Sequence, residues 1–304
     1  MTEPNWALAR KRQNLEQRAR ITQVIRAFFN DSGYLEVETP LLIPGNAPEV
    51  HIDAVPATGG FLQTSPELCM KRLLAAGYPK IFQISHCWRQ AERGSRHLPE
   101  FSMLEWYQPA ADYRILMDEC ERLLQALCPS SLLSWQGQTV DLTGPWERLT
   151  VAEAFARFAP LNLEDALRQG CFDELLAAEV EPKLGLQQPV FLTEYPASLA
   201  ALARLSPENP AVAERFELYV AGLELANAFS ELIDPIEQAE RFAEDESTRR
   251  KLGKPAYPVP VKFLAELPNM PAAAGIALGL DRLVMLLCDA EKIDEVVTFT
   301  PEEL

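Results

Sequence analysis

The chain has 304 residues, of which 48% are hydrophobic and 24% charged, a composition that excludes a disordered or fibrous protein. No apolar run approaches the roughly 20 residues that cross a bilayer, and residues 1–17 lack the apolar stretch of a signal peptide. Acidic residues outnumber basic ones by 44 to 28, and the net charge of −16 disfavours broad contact with a phosphate backbone.

Hydrophobic spacing and turn residues divide the chain into helices and strands. They predict helices at residues 21–29, 64–77, 113–127, 151–169, 235–252 and 281–288. They predict strands at residues 34–37, 80–89, 101–107, 189–192, 216–232 and 272–278, and a loop or hairpin region at residues 129–150. Because strands do not alternate regularly with helices, the pattern favours an α+β fold with a largely antiparallel sheet. No repeat or long linker interrupts it, which predicts one domain over residues 1–304.

Two helix ends are marked by capping residues. Gly33 follows the first helix and is placed as its C-terminal cap. The run Thr64-Ser65-Pro66-Glu67 combines a capping hydroxyl, a proline at the first turn and an acid near the positive end of the helix dipole. The second helix is therefore expected to begin at this run.

Cysteine and histidine usage indicates the compartment. The six cysteines form no CxxC pair, and three histidines are too few for a zinc-like cluster. We therefore expect a reduced, cytoplasmic protein.

Charge is distributed unevenly along the chain. Residues 71–106 contain six basic and three acidic side chains, whereas residues 205–250 contain eleven acidic and four basic ones. A positive and a negative segment in one core suit a site that holds an anion and a cation together. Ordinary solvated surface charge is the alternative interpretation.

Three stretches together resemble the signature motifs of a known family. They are residues 33–40 (GYLEVETP), Trp88-Arg89 with the following loop to Arg96-His97-Leu98-Pro99-Glu100-Phe101, and residues 275–282 (GIALGLDR). In this order they are similar to motifs 1, 2 and 3 of the class II aminoacyl-tRNA synthetases. The resemblance implies a catalytic domain built on a mainly antiparallel sheet flanked by helices. It also implies ATP as a substrate, Mg²⁺, and a homodimer built through motif 1.

Further stretches resemble the lysine-specific branch. They are residues 64–67 (TSPE), 99–107 (PEFSMLEWY) and 224–232 (ELANAFSEL). Motif 1 begins at Gly33, which leaves no room for the anticodon-binding domain of lysyl-tRNA synthetases, and Ala277 stands where those enzymes usually have glycine. The chain thus resembles their short paralogues, which attach lysine or (R)-β-lysine to a lysine side chain of elongation factor P. A lysine-like amino acid and elongation factor P are then the expected partners, and tRNA is not the expected acceptor.

The resemblance assigns the nucleotide end of the site. Arg89 is expected to bind the α-phosphate and the attacking carboxylate, and Arg282 the γ-phosphate, as the catalytic residues. The expected ATP-binding residues are Arg89, Gln90, Ala91, His97, Leu98, Phe101, Glu224, Leu225, Gly279 and Arg282. Ordinary salt bridges are the alternative role for Arg89.

It also assigns the amino-acid end. The expected substrate-binding residues are Ser65, Pro66, Glu67, Glu105, Tyr107, Asn227, Phe229, Glu231 and Ala277. Period-2 alternation places Phe101, Glu105 and Tyr107 on one strand face. A plain core strand explains the phenylalanine equally well but not the glutamate.

The family's metal ligands correspond to Glu217 and Glu224, whose carboxylate oxygens suit Mg²⁺. Strict alternation places Glu224 on the strand face opposite Glu231. The assignment therefore requires a bulge or twist near Gly222.

Three residues depart from the family pattern. Ala91 replaces the glutamate of motif 2, Leu98 replaces the asparagine after the motif 2 histidine, and Ala228 replaces a glycine. Backbone groups at Ala91 and Leu98 would then contribute more to adenine binding. Two other functions stay open: a truncated synthetase paralogue that charges tRNA or a small amine, and a non-catalytic sensor of amino acid or ATP.

Overall fold

The computed structural model describes residues 6–304 of the chain. Its α-helices are α1 (Trp6–Asp31), α2 (Glu67–Ala75), α3 (Tyr113–Leu127), α4 (Val151–Phe158), α5 (Leu163–Gln169), α6 (Phe172–Leu175), α7 (Pro235–Lys251), α8 (Val261–Glu266) and α9 (Leu280–Leu287). Its strands are β1 (Leu35–Glu36), β2 (Leu42–Ile43), β3 (Pro56–Ala57), β4 (Gly60–Leu62), β5 (Ile81–Trp88), β6 (Glu100–Pro109), β7 (Leu132–Trp135), β8 (Gln138–Asp141), β9 (Glu147–Thr150), β10 (Val190–Thr193), β11 (Arg215–Val220), β12 (Leu223–Ser230) and β13 (Ala273–Gly279).

Helix ends follow the capping residues in the sequence. Gly33 has a φ of +78°, and the N–H of Tyr34 donates to the carbonyl of Phe29, so α1 ends as predicted. Pro66 is the N-cap of α2, and Ser65 Oγ accepts the Glu67 N–H at 3.0 Å. Helix α2 therefore begins at the predicted run, but its N-cap is Pro66, so the proline precedes the first turn and the hydroxyl of Ser65 lies one residue before the N-cap.

The central sheet confirms the predicted fold class. Within residues 6–304 it has eight strands in the order β1-β5-β6-β13-β12-β11-β10-β9. Only the pairs at its two edges, β1 with β5 and β9 with β10, are parallel. The sheet is therefore mainly antiparallel, with helices on its flanks, as expected for α+β.

One face of this sheet packs against α1, α3 and α9. Ile25 and Phe29 of α1, Leu116 of α3 and Met285 of α9 join Trp106 of β6 in one buried cluster. Full burial of each such side chain contributes about 1.5–3 kcal/mol. Because side chains alternate along a strand, this packing leaves the odd-numbered side chains of β6 for the opposite face.

The remaining elements refine the predicted pattern. Residues 129–150 form the β7–β8 hairpin and the edge strand β9. The predicted strand at residues 216–232 is two strands, β11 and β12, and the sequence pattern missed α8. No helix among residues 6–304 has the length and apolar character needed to cross a membrane. Residues 1–5 of the predicted domain lie outside the described part.

Candidate active site

A cavity of about 230 Å³ lies against the sheet face opposite α1, α3 and α9. Its lining includes these predicted amino-acid-site residues: Ser65, Glu67, Glu105, Tyr107, Asn227, Phe229 and Ala277. It also includes these predicted nucleotide-site residues: Arg89, His97, Leu98, Phe101, Glu224, Leu225, Gly279 and Arg282. Segments distant in sequence thus meet at one surface.

Strand register aligns these residues in rows across the sheet. Ala277 lies directly between Glu105 on β6 and Asn227 on β12, and Asn227 pairs in turn with Glu217 on β11. Directly opposed residues have Cβ atoms about 4.5–5.5 Å apart, so Glu105, Ala277 and Asn227 form the middle of the cavity floor. The methyl group of Ala277 lies at its centre.

Strand direction separates the cavity into two ends. Along β6 the side chains run from Phe101 to Tyr107, a distance of roughly 20 Å at 3.3 Å per residue. On the antiparallel neighbour β13, Gly279 lies toward the Phe101 end and Gly275 toward the Tyr107 end. We call these the arginine end and the carboxylate end, after their charged side chains.

A β-bulge brings Glu224 to the cavity. Leu218 pairs with Ala226 but Tyr219 pairs with Glu224, so Leu225 is the extra residue on β12. The bulge changes which face Glu224 occupies relative to the rest of β12. The predicted irregularity therefore exists, but it lies at Leu225, whereas Gly222 belongs to the tight turn between β11 and β12.

Glu105 dominates the carboxylate end. It is fully buried, and it accepts hydrogen bonds from Ser65 Oγ at 2.6 Å and from the Tyr107 hydroxyl at 2.9 Å. Burial, and then the nearby Glu67 carboxylate, raises the pKa of Glu105 to about 8. A cation at this end would relieve the cost of ionising it.

A buried lysine, which the sequence interpretation did not include, joins two of the predicted carboxylates. Lys71 Nζ lies 2.5 Å from Glu67 Oε1 and 2.5 Å from Glu231 Oε2, and 5.1 Å from the centre of the Phe229 ring. Glu231 Oε1 has no hydrogen-bond partner among residues 6–304. Burial raises the pKa of Glu231, whereas Lys71 acts in the opposite direction.

Gly275 belongs to the motif 3 stretch, but the sequence analysis did not assign it to the site. A Cβ atom at this position would overlap Glu231 Oε1 and the ring of Tyr107. The φ of Gly275 is not in the left-handed region, so its backbone conformation does not require glycine. The lack of space for a Cβ atom beside Glu231 and Tyr107 is what excludes a side chain here.

The arginine end presents guanidinium groups. Arg89 lies 3.9 Å from its nearest carboxylate, Glu92, and its guanidinium carbon is 5.2 Å from the centre of the Phe101 ring. The buried Nε of Arg89 has no hydrogen-bond partner within the described chain. Such a group is suited to bind an anion with two parallel hydrogen bonds.

Arg282 lies at the same end, at the start of α9. It donates to the carbonyl of Glu224 at 2.9 Å and to Glu224 Oε2 at 3.1 Å. It also contacts His97, and burial together with Arg282 lowers the pKa of that histidine. His97 is therefore a neutral imidazole at neutral pH.

Five predicted residues do not line the cavity: Pro66, Gln90, Ala91, Glu217 and Glu231. Pro66 caps α2, and Glu231 is buried, with Oε1 close to the position that a Cβ atom of Gly275 would occupy. The Gln90 N–H donates to the Asp53 carbonyl, and the exposed Ala91 has a φ of +63°.

Glu217 is held by protein groups. Its two oxygens accept from Arg215 at 2.7 Å and from the Tyr219 hydroxyl at 2.7 Å. Across residues 6–304, no group of three or more His, Cys, Asp or Glu side chains is arranged to hold a metal ion.

Glu49 also lines the cavity, although the sequence analysis did not identify it. Burial raises the pKa of its carboxyl group to about 7.

Residues 6–303 match the family model described as class II tRNA synthetases for aspartate, lysine and asparagine. Similar curated proteins include one from Haemophilus influenzae, 41% identical over 313 residues and 97% of each chain. Others come from Hamiltonella defensa, 40% identical over 98% of each chain, and Yersinia enterocolitica, 40% identical over 97% of each chain. All three are named elongation factor P–(R)-β-lysine ligase.

Proposed function

Because this chain belongs to the class II tRNA synthetases and, within them, to the family of elongation factor P–(R)-β-lysine ligases, we propose that it activates (R)-β-lysine or lysine with ATP. The aminoacyl group then passes from the adenylate to a lysine side chain of elongation factor P. The enzyme is thus a ligase that modifies a protein.

The observation that carries this proposal is the polarity of the cavity. Arg89 and Arg282 supply positive charge at one end, and the carboxyl groups of Glu67 and Glu105 line the other. A lysine-like amino acid has the matching polarity, with a carboxylate at one end and ammonium groups elsewhere. Binding in this orientation directs its carboxylate to the arginine end, where ATP would bind.

Positioning and charge neutralisation account for the chemistry. A carboxylate oxygen of the amino acid attacks the α-phosphorus of ATP, and the bond to the bridging oxygen breaks to release pyrophosphate. Arg89 binds the α-phosphate and the carboxylate, Arg282 the γ-phosphate, and Phe101 stacks on adenine. The amine of the acceptor lysine then attacks the carbonyl carbon, and AMP leaves.

Mg²⁺ is proposed to accompany ATP, with Glu217 and Glu224 as its ligands. Their carboxylate oxygens are suitable donors, and Glu224 contributes to raising the pKa of the more deeply buried Glu217, after the larger effect of burial. Arg215 and Arg282 form ion pairs with these two carboxylates. The ion would supply additional neutralisation of the phosphate charge.

We further propose a homodimer through the motif 1 region and a cytoplasmic location. Leu35, Leu41 and Leu42, which lie in or beside this region, are each more than 40% exposed, and such neighbouring apolar side chains favour an interface. None of the six cysteines within residues 6–304 forms a disulfide, which agrees with a reducing compartment.

The KM for the amino acid should fall as pH rises between about pH 6 and pH 8, because Glu105 must lose its proton to bind an ammonium group. The raised pKa means that the protonated form predominates below about pH 8, so affinity decreases toward acid by up to about tenfold per pH unit. Pyrophosphate-exchange kinetics would measure this, with the KM for ATP as the internal control. The Glu105→Gln variant should flatten the profile; a flat profile in the unmodified protein would contradict the role of Glu105.

Radiolabelled (R)-β-lysine and lysine should label elongation factor P at one lysine, whereas deacylated tRNA in parallel reactions should stay unlabelled. The net charge of −16 disfavours binding of a tRNA, because that binding depends on phosphate neutralisation by clustered Lys and Arg. The β isomer should be the better substrate, because Ala277 reshapes the cavity floor relative to a glycine. Efficient labelling of tRNA with inert elongation factor P would instead favour the synthetase paralogue.

A further inference from the structure

Lys71 is a fully buried cation at the carboxylate end that has no assigned role in the proposed reaction. It lies one turn after Glu67 on α2, its side chain has no exposed surface, and it does not line the cavity. Its ammonium group is enclosed by Glu67, Glu231 and the ring of Phe229. It therefore lies behind the carboxylates that a substrate would reach.

This environment keeps the lysine charged and fixed. Burial alone lowers the pKa of Lys71, but the Glu231 and Glu67 carboxylates act in the opposite direction, and the net result is a raised pKa. Withdrawal of Lys71 would leave Glu231 buried without a counter-ion, which is strongly unfavourable. Lys71 is thus a permanent part of the site.

The protein supplies fewer cations at this end than carboxyl groups that a cationic ligand could keep ionised. Glu67, Glu105 and Glu231 are three carboxylates, and Tyr107 stays neutral because burial raises its pKa well above the usual value. Lys71 is the ammonium group that contacts Glu67 and Glu231. When all three carboxylates are ionised, one positive charge offsets one of three negative charges, and two remain for the substrate.

We propose that Lys71 is a specificity-determining residue, which neutralises one of the three carboxylates at this end so that the site accepts an amino acid with two ammonium groups. This inference rests on the proposed function and extends it to the charge of the substrate. An amino acid with a single amine leaves one carboxylate unpaired, and burial makes that costly.

The test uses the full-length protein with the variants Lys71→Met, Glu67→Gln and the double variant that combines them. Lys71→Met leaves three carboxylates for the two ammonium groups of the substrate. Glu67→Gln leaves two carboxylates for three ammonium groups, those of the substrate and that of Lys71. Each single change should raise the KM for lysine or (R)-β-lysine by roughly tenfold or more in pyrophosphate exchange. The double variant restores the balance, so its KM should be lower than that of either single variant. The KM for ATP should stay constant throughout.

A substrate panel provides a second measurement. Norleucine lacks the distal amine of lysine, and 6-aminohexanoate lacks the α-amine. The preference for lysine over these analogues should decrease in Glu67→Gln and return in the double variant. Lys71→Arg, which keeps the charge, should retain the preference. If Lys71→Met alone does not fold, the comparison of Glu67→Gln with the double variant still decides, because the double variant loses one cation and one carboxylate and so keeps the net charge of the unmodified carboxylate end.

The outcomes separate this inference from the proposed function. Additive losses in the double variant, or an unchanged KM in folded Lys71→Met, would overturn the role of Lys71 while exchange by the unmodified protein supports the ligase. Absence of exchange with every lysine isomer in the unmodified protein would overturn the proposed function itself.

Discussion

Replacement of Arg282 by alanine should reduce pyrophosphate exchange by about 10²–10³-fold, the usual loss when one donor to developing charge is removed. Arg282 lies at the arginine end of the cavity, and its contacts there are Glu224, His97 and the Arg96 carbonyl. Its replacement removes no apolar core contact. The thermal unfolding temperature should therefore change little, and the kcat of adenylate formation should carry the loss.

Arg148→Ala is the matched control for this prediction. Arg148 is an exposed arginine on β9, 3.2 Å from the Asp118 carboxylate, and such surface pairs contribute about 1 kcal/mol or less. It should leave exchange unchanged. Arg282→Lys should be intermediate, because an ammonium group keeps the charge but loses the planar donor pair. Normal exchange in Arg282→Ala would contradict the assignment of this end to the triphosphate.

The Gly275→Ala variant should lose affinity for the lysine-like substrate by roughly tenfold to hundredfold, since forced repacking costs about 1–3 kcal/mol. The added methyl group would displace Glu231 and the Tyr107 ring from the carboxylate end. ATP binds at the other end, so the KM for ATP should change far less. Pyrophosphate exchange at varied amino-acid and ATP concentrations separates the two effects.

Gly94→Ala serves as its control. A Cβ atom at Gly94 would lie 3.9 Å from His97 Nδ1, an ordinary van der Waals distance. This variant should keep both KM values and the unfolding temperature. An unchanged amino-acid KM in Gly275→Ala would show that neither Glu231 nor Tyr107 contacts the substrate.

The sequence predicted most individual elements because their determinants are local. The predicted helix at residues 113–127 matches α3, and Gly33 ends α1 as the capping pattern indicated. The clustering of strands gave the α+β class with a mainly antiparallel sheet. Helix α8 escaped because its six residues follow a proline-rich segment and are too few for helical spacing to be distinctive.

The sequence predicted which residues form the candidate site more completely than it predicted how they are arranged. Motif resemblance named Glu105, Asn227 and Ala277, and register places them side by side. It also named Gln90 and Ala91, which do not line the cavity. The Gln90 N–H instead donates to the carbonyl of Asp53, a residue distant in sequence, and Ala91 is exposed.

The sequence by itself determined the elements, the order of the three motifs and the opposite charges of two segments, since each depends on residues close together along the chain. Only the tertiary structure decided which carboxylates share one cation. Glu67 and Lys71 are one helical turn apart, a spacing visible in the sequence, but Glu231 joins them from a distant segment. Likewise, pairing between strands determines that Leu225 is a bulge residue and that the position of Gly275 has no room for a side chain. The physical reason is that a shift of one residue in strand register reverses every side chain, and long-range packing fixes that register.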